Sequence, residues 1–300
     1  MKAVTPLTGW RVKKNRNGNI MEEKWTTVLK PRSKWYELNI KELMAYRDLI
    51  FLFVKRNYTT RYKQTILGPL WLIINPLFTT LMYAVVFGGI AQIPTEGVPS
   101  ILFYLGGNIL WTYFAMCINQ TSGTFVNNAG ILGKVYFPRL VMPISTVLTG
   151  LLDFCIQLML FLVIAVIYAL SGQAIQISGW ISLLPVLVLQ IAILGMGIGV
   201  IVSSMTTKYR DLNVLVTFGV QLWMYASPIV YPLSQIPEKY RFIYLLNPVA
   251  PVITIFRYAF FGIGEIPFLS WGISWIVTLV ILGIGMVLFN RVEKTFMDTV

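Results

Sequence analysis

The chain has 300 residues, of which 56% are hydrophobic and 12% charged, with a formal net charge of +12 and no histidine. A soluble domain carries about 25% charged residues, and a mean hydropathy of +0.70 sets this chain apart from that class. The missing imidazole also removes the commonest proton shuttle and metal ligand.

The apolar residues fall in long blocks, each near the roughly 20 residues that cross a hydrocarbon core as a helix. Lipid offers the backbone no hydrogen-bond partner, so these blocks must be helical. The expected fold is an all-α integral membrane protein with six transmembrane helices, an N-terminal amphipathic interface helix, and a re-entrant helix pair before the last span.

In chain order, residues 1–34 form a polar, basic extension (Arg11, Lys13, Lys14, Arg16, Lys24, Lys30, Arg32, Lys34) whose order the sequence leaves open. It shows no apolar signal segment. The expectation is therefore that the first span drives insertion, with Met21 as an alternative start. Residues 35–69 contain the amphipathic helix and a lead-in. Leu43, Tyr46, Ile50, Phe53 and Val54 recur at helical spacing, while Lys41, Asp48 and Lys55 fall largely on another face. This pattern suits a helix lying in the membrane interface, with Lys55, Arg56, Arg61 and Lys63 near lipid phosphates. It also suits a soluble helix packed on a partner.

Residues 70–231 hold five expected spans: Leu70–Ile93, Ser100–Ile118, Leu140–Leu170, Trp180–Met205 and Leu212–Tyr231. Asp153 is the one formal charge within them. Cys117 and Cys155 lie inside apolar blocks and read as small packed side chains rather than a disulfide. Residues 232–267 contain two shorter apolar stretches, Tyr240–Leu246 and Val249–Phe261, broken at Asn247-Pro248. Each is too short to cross alone, and a dipping pair keeps the topology intact. A sixth span, Phe268–Phe289, leads into a tail at 290–300.

Of the 24 Lys and Arg, 15 precede the first span, and Lys134, Arg139, Lys208, Arg210, Arg291 and Lys294 fall on the same side. The opposite side keeps Lys239, Arg241 and Arg257. The positive-inside rule then puts both termini in the cytoplasm.

The chain carries no recognisable energy source. Gly130-Ile-Leu-Gly-Lys134-Val lacks the spacing and the Ser/Thr of a phosphate loop. Proton coupling would need partners for Asp153, which stands alone among the spans with Gln157 one turn away; packing and a direct transport role both remain open. A membrane-embedded glycosyltransferase or acyltransferase would need convergent polar groups, yet Glu96, Glu238 and Glu265 are far apart in sequence. No catalytic residue and no metal ligand set is expected.

Aromatic residues make up 14% of the chain. Tyr83, Phe87, Tyr104, Trp111, Phe114, Trp223, Tyr225, Tyr231, Phe256 and Tyr258 lie in or beside spans. Such rings either stack on sugar faces along a channel or sit at the bilayer interface. The two short inner loops combine rings with charges: Lys134, Val135, Tyr136, Phe137, Pro138 and Arg139 in one, Lys208, Tyr209, Arg210 and Asp211 in the other. That make-up suits a protein interface, and the partner would be the missing ATPase. Anchoring at lipid headgroups is the alternative.

Several of these blocks resemble a known family. Arg61-Tyr-Lys-Gln-Thr-Ile-Leu-Gly-Pro-Leu-Trp71 with Asn75-Pro76 is similar to the first-span signature of polysaccharide-export permeases of ATP-binding-cassette transporters. Lys134–Leu140, Lys208–Leu212, Gln221–Pro232, Ile236–Tyr240, Leu246–Pro248 and Glu293–Phe296 match further blocks in collinear order, from about residue 38 to 300. The resemblance implies a homodimer in the bacterial cytoplasmic (inner) membrane, with two copies of a separate nucleotide-binding subunit that holds ATP and Mg; no cofactor is expected in this chain. It implies export of an undecaprenyl-linked polysaccharide (O-antigen, capsule or teichoic-acid type) through a channel between protomers, with membrane lipids around it and no role for nucleic acid. The segment 127–140 would be the coupling segment and 232–267 the periplasmic gate helices. Arg47, Lys55, Arg56 and Arg61 would meet a lipid diphosphate or ordinary anionic lipid. A drug or lipid exporter built on the same plan is the alternative within the transport class.

Overall fold

The computed structural model describes residues 10–14, 20–24, 40–132, 134–135, 137–173, 178–206, 208–209, 211–237, 239–240, 244 and 246–299. The chain divides into two units, Met1–Glu37 and Leu38–Val300. The first holds an antiparallel pair, β1 (Trp10–Lys14) and β2 (Ile20–Lys24), with Trp10 opposite Lys24 and Lys14 opposite Ile20. The basic extension thus contains a hairpin.

The second unit is helical throughout its described residues. A short α1 (Ile40–Ala45) precedes the interface helix α2 (Arg47–Tyr62). Span one runs as α3 (Trp71–Tyr83) and ends in a widened π turn over Ala84–Ile90. Span two is α4 (Ser100–Ser122), followed by the short α5 (Thr124–Asn127) and α6 (Ala129–Leu132). Span three is α7 (Val141–Leu170) and span four α8 (Leu184–Thr206). Then come α9 (Leu212–Tyr225), α10 (Ala250–Phe261) and α11 (Phe268–Thr299).

Five stretches among the described residues are long and apolar enough to cross a membrane, against six expected. The difference lies in α9. It stops at Tyr225, because Pro228 cannot continue a helix, and its 14 residues reach only about 21 Å. The last helix departs in the other direction. With no glycine or proline to stop it, α11 continues to Thr299 through the expected tail.

Span two is the pillar of the bundle: 78% of its most apolar window is buried, against 11% for span one. Lipid removes the hydrophobic drive between helices, so close backbone approach at small residues carries the packing. Gly195-Met-Gly197-Ile-Gly199 on α8 supplies it on two sides. A Cβ at Gly195 would lie 2.6 Å from Cys117 Cβ, and one at Gly199 would lie 2.6 Å from Thr121 Cβ, so both glycines press on span two. Gly197 faces the other way, where its Cβ would lie 3.1 Å from Leu282 Cα on α11.

Polar ties hold the opposite side of the bundle. Gln190 donates to Ser274 Oγ at 2.7 Å and accepts from Trp271 Nε1 at 2.8 Å, while Ser274 donates to the Pro248 carbonyl at 2.6 Å. Asn247, at the break between the expected short helices, accepts from Trp223 Nε1 at 3.3 Å and from its own chain at Val249 N, 3.1 Å. Its amide donates to Ser227 Oγ at 3.0 Å, so one side chain joins the end of α9 to the start of α10. Of the first short helix, Arg241, Phe242, Ile243 and Leu245 lie outside the described residues.

Packing this tight predicts an asymmetric response to enlarged glycines. Gly199→Val should destabilise the protein by about 1–3 kcal/mol through overpacking. Gly219→Val, where a Cβ meets open space, should leave the melting temperature in detergent nearly unchanged.

Candidate functional site

The interface helix and the loop at 134–139 meet at one end of the bundle. Phe53, the buried residue of α2, lies 5.7 Å from the ring of Phe137. Around them Phe125, Leu132, Val141, Met142, Val200 and Phe289 complete an apolar cluster, with Phe125 stacked on Phe289 at 4.5 Å. Most of the stripe read from the sequence is the packed face: Leu43, Tyr46 and Ile50 lie against this cluster, whereas Val54 is half-buried outside it, and Asp48 and Lys55 are exposed. Met44, Phe51 and Leu52 remain exposed on the other side. One helix therefore has apolar residues against the bundle and apolar residues open, which suits an interface location.

This packing corrects the reading of Phe137 as an exposed partner contact. It is 4% exposed and Pro138 is buried beside it, because α2 covers the loop. The surface left open consists of Lys134 and Val135 in one loop, and Lys208, Tyr209 and Asp211 in the other. Tyr209 is 54% exposed, with the Lys208 ammonium 5.1 Å from its ring centre. Arg139 is half-buried. Tyr136 and Arg210 lie outside the described residues.

The far end of α2 carries the second anchor. Arg61 forms an ion pair with Asp153 in the middle of span three, and Tyr62 donates to the other carboxylate oxygen at 3.4 Å. Asp153 stands alone among the spans, and its cation comes from outside them: the long Arg61 side chain reaches the carboxylate from α2, while Gln157, one turn away, makes no bond to it. Arg61 is accordingly committed within the chain rather than free for a lipid phosphate. Arg56 is partly engaged as well, donating to Asn57 at 3.0 Å and to Asn128 at 3.4 Å while its guanidinium sits 4.6 Å from the Phe53 ring. Arg47 and Lys55 are exposed, with Asp48 3.6 Å from Arg47.

The ten rings proposed for a channel divide by burial. Tyr104, Trp111, Phe114 and Phe256 are buried in the protomer core, packed on one another's neighbours rather than lining an open surface. Trp111 and Phe114 both meet Trp223, at 6.3 and 5.3 Å. Tyr83, Phe87, Trp223, Tyr231 and Tyr258 are half-buried, and Tyr225 is exposed. Tyr231 donates to the Tyr225 carbonyl at 2.9 Å and shares a short hydroxyl contact with Tyr244. Nearby, the buried Arg257 of α10 donates to the Ile229 carbonyl at 2.7 Å and lies 3.6 Å over the Phe103 ring.

A cavity of about 490 Å³ opens beside the ion pair, between the end of α2 and spans one, two and three, with mostly apolar walls. Its walls include Asn75, Asn108 and Gln157. Nothing in the sequence marked it, since these residues lie on three different helices.

A model of ABC-2 type transporters matches residues 48–261. The chain belongs to the ABC-2 type transporter family. Curated relatives of this transporter chain include the O-antigen export system permease protein RfbA of Klebsiella pneumoniae, 29% identical over 87% of this chain and 98% of the relative. The protein of the same name from Myxococcus xanthus is 30% identical over 74% of this chain and 84% of its own. The polysialic acid transport protein KpsM of Escherichia coli is 27% identical over 81% and 93%. The chain is thus a multi-pass membrane protein of a transporter family, and its loops and cavity are to be read in that light.

Removing one member of the Arg61–Asp153 pair leaves a charge poorly compensated at membrane depth. Arg61→Met should destabilise the protein by about 2 kcal/mol or more, on the scale of lost charge-assisted hydrogen bonds. Arg61→Met combined with Asp153→Leu should recover most of that loss. Thermal unfolding of the single and double variants measures both.

Proposed function

We infer that this chain is the membrane-spanning permease subunit of an ATP-driven polysaccharide exporter in the bacterial inner membrane. The observation that carries the reading is the near end-to-end match to O-antigen export permeases, 98% of one relative being covered. The polysialic acid transport protein KpsM and the capsule polysaccharide export inner-membrane protein CtrC of Neisseria meningitidis extend it. The cargo in this reading is a lipid-linked polysaccharide carried on undecaprenyl. Two copies of the chain form the route, with both termini cytoplasmic, and two separate ATPase subunits hold ATP and Mg.

Lys134, Val135, Lys208, Tyr209 and Asp211 supply the exposed ring-and-charge surface for that ATPase. Tyr and charged residues at a partly apolar patch suit a protein contact. Behind this surface, Phe137 rests on Phe53. A push on the loop is therefore delivered to α2, and through Arg61 to span three. Arg47 and Lys55 remain open for anionic headgroups at the membrane edge.

The test separates contact from packing. Val135→Asp with Tyr209→Asp should reduce co-purification of the ATPase and export by at least ten-fold, with membrane insertion unchanged. Phe137→Asp should instead lower thermal stability, since it buries a charge against Phe53. Wild-type export in the double variant would remove the loops from the coupling role.

A further inference from the structure

The cavity beside the ion pair has a composition that its position in a membrane does not explain. Asn108 and Gln157 are 5% and 6% exposed, and both line it together with Asn75. None of these three carboxamides makes a side-chain hydrogen bond to a described residue. Their amides open onto the cavity, where an occupant that cannot hydrogen-bond would leave them unsatisfied. Three carboxamides that open onto one cavity, two from buried positions and Asn75 from an exposed one, suit a hydrogen-bonding occupant better than a lipid chain. Thr112, exposed at the rim, and Thr79 add hydroxyls. Trp71 and the Tyr113 ring, whose hydroxyl donates to the Val147 carbonyl at 3.4 Å, add flat apolar faces.

We propose that this cavity is a carbohydrate-binding site, taking a sugar ring of the lipid-linked glycan by its hydroxyls. Each carboxamide offers both donors and an acceptor, which matches hydroxyls that donate and accept at once. The neighbouring rings present faces to sugar C–H groups. The size also fits, since ligand sites run from about 300 to 1,000 Å³.

A phosphate is the competing ligand, and the electrostatics disfavour it. Arg61 is the one cation among the residues lining the cavity, and the carboxylate of Asp153 cancels it. A phosphate entering would face that carboxylate with no surplus positive charge. A neutral, hydroxyl-rich ring meets no such penalty. The ion pair then serves as one charged wall that orients the site, fixed by the fold before any ligand arrives.

The identity of the sugar's carrier rests on the export reading, but the site itself does not, and one experiment can separate them. The full chain in lipid nanodiscs is irradiated with a diazirine-bearing alkyl glucoside, and the labelled peptides are mapped by mass spectrometry. Labelling should concentrate on residues 71–79 and 108–116. It should fall at least five-fold in Asn108→Leu and in Gln157→Leu, changes that favour membrane insertion. Thr112→Leu, at the exposed rim, leaves the buried side chains undisturbed and should show a smaller loss. Excess alkyl maltoside should compete, and alkyl phosphate should not. Labelling spread over the lipid-facing surface and equal in all variants would overturn the proposal, as would preferential displacement by alkyl phosphate. Site-specific labelling in a chain that neither binds an ATPase nor exports glycan would discard the export reading and leave the site standing.

Discussion

A carboxylate in the middle of an apolar helix is the constraint around which this membrane unit is arranged. Asp153 lies twelve residues into α7, about 18 Å along its axis, where an unpaired charge is expensive. Its partner comes from outside the spans, from the last turn of the interface helix. That pairing fixes the end of α2 against span three. Because a helix is a rigid rod, it also fixes Phe53, eight residues back, beneath Phe137. Two contacts of different kinds therefore clamp α2: an ion pair at one end and a ring cluster at the other.

The clamp gives the interface helix a mechanical role that a peripheral anchor would lack. Displacing Phe137 without moving α2 would break the ring cluster that includes Phe125 and Phe289. Moving α2 without span three would separate Arg61 from Asp153. Both alternatives are costly, so a small displacement at the loop is carried rather than absorbed. The other side of the bundle is held differently. There Asn247, Gln190, Ser274 and Arg257 bond to main-chain or neutral groups, and several short segments rather than one rod share the load.

The sequence reading recovered what periodicity and hydropathy encode. The long spans emerged because lipid demands uninterrupted apolar helices, and Ile50 and Phe53 marked the packed face of α2, with Leu43 and Tyr46 continuing it just upstream, because a half-covered helix keeps a 3.6-residue stripe. It failed where the answer depends on which neighbour is present. A spanning helix is apolar on all sides, so its pattern does not distinguish a core ring such as Tyr104 or Phe256 from an open one such as Tyr225. Phe137 sits in a short loop, which suggested exposure, but the cover comes from a helix some 80 residues earlier. Asp153 and Arg61 are 92 residues apart, and only the fold makes them adjacent.

The same reasoning bears on the surfaces the protomer leaves open. Span one exposes Trp71, Phe78, Leu81, Met82 and Val85, and α9 exposes Val214, Leu215, Phe218 and Leu222. Lipid alone could cover those side chains. It would be a poor environment for Asn75 and Gln221, which are exposed on the same two helices, since an amide facing hydrocarbon gives up its hydrogen bonds. At 14 residues, α9 is also too short to present a full lipid-facing span. Mixed apolar and amide surfaces on these two sparsely covered helices call for a neighbour that can satisfy an amide, which hydrocarbon alone does not.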